Sequence, residues 1–193
     1  MLNRKEKMMK ESIDAYLKLG FSLIPLAYKG KKPSTSWKEF QERHASAEER
    51  SVWFGDFTLT NVGIVTGRIS GIVVLDVDGE EGEASLSTLG ALPITPRVVT
   101  GRGRHLYFKH PGTFVGNPVN RLPGLDVRGD GGYVVAPPSI HPDGSVYEWA
   151  LHPSEVPFAE LPDSLTDLLV ASKAAKGFCS RSSLREPSAS ERV

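Results

Sequence analysis

The chain reads as an α+β domain built on a mixed or antiparallel sheet. Three observations predict this. A helically spaced segment near the N-terminus leads straight into an apolar strand. Two further apolar runs follow, joined by a glycine-containing turn. The second half is then a succession of short strand-like runs punctuated by Gly and Pro. With 193 residues, 39% of them hydrophobic and 24% charged, there is material for one core, and wholesale disorder is not expected. One domain is expected over 1–176. A disordered tail or linker is expected over 177–193, where Ser and Arg dominate and apolar residues thin out.

Element by element, Glu6 to Leu19 carries Met9, Ile13, Tyr16 and Leu17 at helical spacing, and Gly20 is its stop signal. Phe21 to Ala27 is a strand, and Tyr28 to Trp37 a loop of Gly, Lys, Pro and Ser. Ser46-Ala47-Glu48-Glu49 is a capping box that opens a short helix with Trp53 and Phe54. Asn61 to Thr66 and Ile72 to Val77 are strands, and Glu80 to Leu89 is helical. Val98-Val99 and His105 to Phe108 are strands around the turn Thr100-Gly101-Arg102-Gly103. Leu125 to Arg128, Tyr133 to Ala136 and Val146 to Trp149 are short strands. Ser164 to Lys176 is a last helix, with Ser164 as N-cap.

Composition narrows the function classes. Net charge is zero, so nucleic-acid contact must come from local patches. Cys179 is the only cysteine, which rules out an internal disulfide and any Cys-cluster zinc site and suits a reducing cytoplasm. Met1 to Lys10 has no apolar h-region, and no apolar run is long enough to span a bilayer, so neither a signal peptide nor a membrane partner is expected.

Chemistry collects first at Ile72-Val73-Val74-Leu75-Asp76-Val77-Asp78-Gly79. Side chains alternate along a strand, so Asp76 and Asp78 share a face. Two carboxylates at the end of a buried strand repel and are costly to desolvate, and Mg²⁺ or Mn²⁺ would relieve both problems. The other reading is a solvated acidic turn. Gly124-Leu125-Asp126-Val127-Arg128-Gly129 repeats the pattern. Asp126 supplies a third carboxylate from another strand for a two-metal site, whose ions lie about 3.5–4 Å apart. Its alternative is an ion pair with Arg128 on the same face. Asp130 is a turn residue in Asp130-Gly131-Gly132.

Between these acids, Ala84 to Leu125 contains no Asp or Glu but carries Arg97, Arg102, Arg104, Lys109, Arg121, His105 and His110. Bases confined between two acidic strand ends suit a metal-bound polyphosphate. In the stretch from Thr100 to Phe108, the glycines let backbone approach an anion, while Thr100, Arg102 and Arg104 are candidate nucleotide or DNA contacts. His105 begins an alternating strand and is read as a phosphate or sugar contact, against a purely structural histidine. Downstream, Pro137-Pro138 would present Ser139 and His141 at the sheet's end, with Ser139 a phosphate donor or only a turn hydroxyl. In Gly30-Lys31-Lys32-Pro33-Ser34-Thr35-Ser36-Trp37, Lys32 and Trp37 are candidate contacts for a template strand or incoming nucleotide.

Taken in order, Leu75-Asp76-Val77-Asp78-Gly79, Gly103-Arg104-His105-Leu106-Tyr107-Phe108 and Gly124-Leu125-Asp126-Val127-Arg128-Gly129 resemble the three motifs of the archaeo-eukaryotic primase superfamily. The nearest likeness is to the bifunctional primase/polymerase N-terminal domain of plasmid, phage and mobile-element replication proteins. It runs from roughly Ala15 to Trp149 and takes in Gly30-Lys31-Lys32-Pro33, Asn61-Val62-Gly63-Ile64, Thr66-Gly67 and the run from Gly131 to Ser139. The resemblance implies an RRM-like catalytic core beside an N-terminal α/β module. It implies Asp76, Asp78 and Asp126 as ligands of two Mg²⁺ or Mn²⁺ ions and His105 as a nucleotide contact. It implies transfer of nucleotides from an NTP or dNTP on a primed single-stranded DNA template. Some members carry a zinc-binding stem, which one cysteine does not supply, so no zinc is expected. A helical priming domain or helicase, which members often carry, is expected to be absent or on another chain.

Asp76-Val77-Asp78-Gly79 also resembles the first motif of haloacid dehalogenase-type phosphatases, with Asp76 as nucleophile. Glu80 stands where that family usually has Thr or Val, and no late acidic pair follows a second apolar strand. A catalytically silent nucleic-acid-binding module and a metal-dependent nuclease are the remaining readings.

Overall fold

The computed structural model describes residues 4–55, 59–119 and 122–166. Helix α1 (Arg4–Lys18) buries Met9, Ile13 and Tyr16, the face its apolar spacing predicts. It closes at Gly20, whose φ of +77° is left-handed, with the Phe21 N–H returning to the Tyr16 carbonyl at 3.0 Å. Strand β1 (Ser22–Ala27) is apolar from Leu23 onward, with only Ala27 exposed. A 3₁₀ turn, η1 (Lys38–Gln41), follows the basic loop and buries Phe40. In helix α2 (Ala47–Phe54) both halves of the capping box form: Glu49 N–H donates to Ser46 Oγ at 3.1 Å, and Ser46 N–H donates to Glu49 Oε2 at 2.7 Å.

The remaining elements are β2 (Thr60–Val65), β3 (Ile72–Asp78), α3 (Gly79–Ser87), β4 (Arg97–Val99), β5 (Gly103–Lys109), β6 (Leu125–Arg128), β7 (Tyr133–Ala136), β8 (Glu148–Leu151) and β9 (Ala159–Glu160). They form two sheets. A small one runs β1-β2-β7, and a six-stranded one runs β6-β3-β5-β4-β8 with β9 added alongside β5. All pairings between these strands are antiparallel except β5 with β9. The α+β class is as expected, and β9 makes the sheet mixed. The N-terminal α/β module is completed by a strand from far along the chain, since β7 pairs with β2.

Alternation along β3 and β5 divides the core. Ile72, Val74 and Tyr107 face a cluster shared with α1 and the small sheet. Val73, Leu75, Val77, Leu106 and Phe108 face a second cluster with Leu86 of α3, Val115, Val127 and Leu165. The six-stranded sheet is thus covered on both faces, which explains why its central strand has no polar residue before Asp76.

Boundaries differ where local bonds compete with strand pairing. Val146 to Trp149 is not one strand: Tyr147 N–H donates to the Ser139 carbonyl at 2.9 Å, Val146 bridges Ile140, and pairing with β4 starts only at Glu148. The two residues of β9 and the four of η1 are too short to leave a periodic pattern. The last described turn is helical from Asp163, with the Leu165 and Thr166 N–H groups on the Pro162 carbonyl, so Ser164 lies inside it and is not the cap. The rest of that expected helix, Arg121 and the expected tail lie outside the described residues.

The β3–β5 contact tolerates no side chain at Gly103. A Cβ there would stand 1.9 Å from the Val77 carbonyl oxygen. Gly103→Ala is therefore expected to cost about 2–3 kcal/mol, as overpacking does. That lowers the thermal unfolding midpoint by roughly 5–10 °C. Gly116→Ala, whose Cβ would meet only Phe114 at an ordinary 3.7 Å, should stay within about 1 kcal/mol of the parent. Equal midpoints for the two variants would contradict this packing.

Candidate active site

The register of three neighbouring strands builds the site. Asp76 on β3 stands directly opposite His105 on β5 and directly opposite Asp126 on β6. Residues facing each other across antiparallel strands project to the same side, about 4.5–5.5 Å apart at Cβ. Asp126, Asp76 and His105 therefore form a row across the sheet. Asp78, two residues further along β3, shares their face, is exposed, and sits at the entry to α3.

Charge in this row is closely matched. His105 Nε2 lies 3.4 Å from Asp76 Oδ1. Arg128, on the same face of β6, donates from Nη2 to Asp126 Oδ2 at 2.8 Å and lies 3.9 Å from Asp76 Oδ2. Burial works to raise the Asp76 pKa, but the His105 hydrogen bond, the His105 and Arg128 charges and Lys31 outweigh it and hold the carboxyl below its ordinary value. The Asp126–Arg128 ion pair, one of two readings of that strand, is thus present. So is the adjacency of Asp126 and Asp76 that the other reading requires.

Two adjoining cavities of about 330 and 290 Å³ meet over Asp76 and His105 and share Lys31 and Tyr147 as well, while Asp126 stands beside Asp76 without lining either. Joined, they have the size of an ordinary small-ligand cleft, roughly 300–1,000 Å³. One end is walled by Trp37 and Tyr133, whose rings meet edge-on at 4.9 Å, and by Asn117 and Arg128. The other holds Asp78, Thr100, Arg102 and His141. The cleft lies where the small sheet's loops face the large sheet. It brings together Asp76, Asp78, His105, Trp37, Thr100, Arg102 and Arg128.

Three candidate contacts are placed elsewhere. Arg104 precedes His105 on β5, so alternation sends it to the opposite face, where Nη2 donates to Glu83 Oε2 at 2.6 Å. Ser139 is fully buried; its Oγ accepts from Val62 N–H at 2.9 Å and donates to the Val62 carbonyl at 3.2 Å, leaving it no phosphate to meet. Lys32 is not on the cleft wall. Its carbonyl accepts from Ala27 N–H at 2.9 Å, which folds the loop back so that Lys31 reaches the cleft instead. The glycines also have another cause: Gly103 admits the Val77 carbonyl, and a Cβ on Gly101 would meet His141, Ser145 and Asp143 within 3 Å.

Sequence reasoning passed over Lys31, Asn117, Tyr133 and Tyr147. Only the Lys31–Lys32 pair carried a signal, and it did not say which lysine faces inward. Asp130 is a turn residue, as expected, but also a hub. Its carboxylate accepts from Arg68 N–H and Val115 N–H at 2.9 Å each and from His110 Nε2 at 3.0 Å, while its carbonyl accepts from Asn117 at 2.6 Å. That network fixes the loop bearing Asn117 against the end of β6.

Among the described residues, no group of three or more His, Cys, Asp or Glu side chains is already gathered as a ligand set. The donor chemistry nevertheless suits a hard divalent cation. Asp76, Asp78 and Asp126 offer carboxylate oxygens on one face, and the Arg128 guanidinium shows that a positive charge is accepted between Asp126 and Asp76. No described helix is long and apolar enough to cross a membrane.

A family model described as bifunctional DNA primase/polymerase, N-terminal, matches residues 13–164, which covers the whole cleft. No curated protein matches the chain.

The depressed Asp76 pKa has a pH consequence. A carboxyl whose folded pKa lies below its unfolded value adds stability above the unfolded pKa of about 3.9, and that stability is lost as pH falls through the folded value. The difference in unfolding free energy between the wild type and Asp76→Asn should therefore be larger in the wild type's favour at pH 7 than at pH 3. Urea unfolding at both pH values measures it; a difference that does not change with pH would contradict the assignment.

Proposed function

The chain belongs to the bifunctional DNA primase/polymerase N-terminal family, and from that premise we propose that it performs template-dependent nucleotidyl transfer in the cleft described above. The observation that supports this most directly is the Asp126–Asp76–His105 row, whose Asp76 and His105 line a cleft with walls that carry Lys31, Arg102 and an aromatic pair. The substrates proposed are an NTP or dNTP and a primed single-stranded DNA template, in replication of a plasmid, phage or other mobile element or in repair. The phosphatase reading does not account for the aromatic wall and the cations together, and a silent nucleic-acid-binding module has no use for paired carboxylates facing its ligand.

In the reaction, the primer 3′-oxygen attacks the α-phosphorus, and the bond to the bridging oxygen breaks to release pyrophosphate. Asp76, Asp78 and Asp126 would hold two Mg²⁺ or Mn²⁺ ions. When bound, such ions lower the pKa of the attacking hydroxyl and offset charge on the departing pyrophosphate. The protein's own groups bind and orient. Lys31, Arg102 and His141 line the Asp78 end of the cleft and present donors to the phosphates. Trp37 and Tyr133 offer ring surface to a base at the other end. His105, buried against Tyr147 with ring centroids 6.0 Å apart, keeps Asp76 ionised and correctly turned.

With Mn²⁺ or Mg²⁺, dNTPs and a primed template, the protein should extend the primer. Asp76→Ala combined with Asp78→Ala should abolish extension while circular dichroism stays native; undiminished extension by that variant would sink the reading. Phosphate release from small phosphoesters without extension would instead favour the phosphatase. Losing one charge-assisted contact costs about 1.5–3 kcal/mol. Lys31→Ala should therefore raise the KM for dNTP about tenfold or more. Lys32→Ala, outside the cleft, should change it less than about twofold.

A further inference from the structure

We propose that Arg128 is a resident counter-cation of the carboxylate pair, which a divalent metal must displace, so that this one side chain sets how tightly the cleft holds metal. The inference rests on the metal-binding role proposed above for Asp76 and Asp126. The geometry is specific. Arg128 Nη2 is 2.8 Å from Asp126 Oδ2 and 3.9 Å from Asp76 Oδ2, so the guanidinium straddles the two acids that the strand register sets side by side. The Arg128 and Asp126 side chains are 30% and 22% exposed, partly withdrawn from water, where an ion pair is screened less than at the surface.

A guanidinium and a divalent cation repel, and both would draw on the Asp126 carboxylate. Metal entry therefore opens the Arg128–Asp126 bond, and the metal's net affinity is lowered by what that bond is worth. The freed side chain has a place to go. Arg128 already lines the Trp37–Tyr133 end of the cleft, beside Asn117 and Gly131. There a phosphate of nucleotide or nucleic acid satisfies the guanidinium in place of Asp126. Metal and phosphate ligand then help each other: whichever takes its partner first releases the other's. Such coupling is reciprocal by linkage.

The test is Mn²⁺ binding followed by the electron paramagnetic resonance signal of free Mn²⁺, with no turnover involved. Three proteins are compared with the wild type: Arg128→Gln, Arg128→Lys, and the Asp76→Ala, Asp78→Ala double variant. A charge-assisted bond of about 1.5–3 kcal/mol corresponds to roughly tenfold or more in affinity. Arg128→Gln should bind Mn²⁺ at least that much more tightly than wild type. Arg128→Lys, which keeps the charge, should stay within about threefold. A primed DNA duplex without dNTP should tighten Mn²⁺ binding to wild type but not to Arg128→Gln. If wild type loses no affinity in the double variant, the metal site itself is wrong and the proposal falls with it. If the double variant loses binding but Arg128→Gln binds Mn²⁺ no more tightly than wild type, the carboxylate site stands and the counter-cation role of Arg128 is overturned. If Arg128→Gln fails to fold, Arg128→Lys bears the test alone: a change in its Mn²⁺ affinity beyond about threefold, or loss of the DNA-induced tightening, overturns the proposal.

Discussion

Everything about this site depends on the register of β3 between its two neighbours. A slip of one residue turns every side chain of a strand to the other face. Here both faces of β3 are apolar up to Asp76, with Ile72 and Val74 in one cluster and Val73, Leu75 and Val77 in the other. A slip would therefore tear apart two cores at once. That rigidity lets the strand end in a carboxylate only 29% exposed, partnered by His105 and Arg128.

Close backbone contacts hold the same register at the strand's far end. Gly103 lets β5 approach the Val77 carbonyl, and a Cβ on either Gly82 of α3 or Gly124 would come within 2.5 Å of the other's backbone. Asp78 lies in this knot, with its N–H on the Gly124 carbonyl at 2.8 Å and Gly79 N–H on the Arg102 carbonyl at 3.1 Å. The Arg102 turn is thereby tied to the acidic strand end. On the opposite side, the Asp130 hub does the equivalent for Asn117 and the strand carrying Arg128. Burial alone would raise the Asp130 pKa, but two backbone N–H groups and His110 hold it below its usual value.

Much of this was legible in the sequence, and the parts that were not share a cause. Alternation along one strand is local, so the common face of Asp76 and Asp78 could be read directly. That Asp126 stands opposite Asp76 depends on which strands pair; the repeated apolar–Asp–Val pattern and the order of the motifs pointed to a neighbouring strand, but not to the register. The same alternation, applied to β5, already separates Arg104 from His105; grouping them by composition overlooked it. Between the two readings of Ser139 the sequence does not decide, because a hydroxyl after two prolines looks presented, whereas Val62, distant in sequence, engages both its donor and its acceptor. Lys31 and Lys32 are indistinguishable without the bond from Ala27 N–H to the Lys32 carbonyl. Tyr133 and Tyr147 join the cleft only through tertiary contacts, and β9 is too short to see.

The division of the cleft between two sheets separates two properties that evolution can tune independently. The acids and His105 all stand on the six-stranded sheet, whose central register is locked. Trp37, Tyr133 and Lys31 belong to the three-stranded sheet and its loops, joined to the first through side-chain packing and bonds such as Tyr16 Oη to the Pro137 carbonyl at 2.7 Å and Trp149 Nε1 to Tyr16 Oη at 3.0 Å. The two layers stand on either side of the cleft, and their shared core sets the distance between them. Substitutions in the seam between them, far from any substrate, would reset the gap and so the fit of the substrate, while the spacing of the acids stayed as it was.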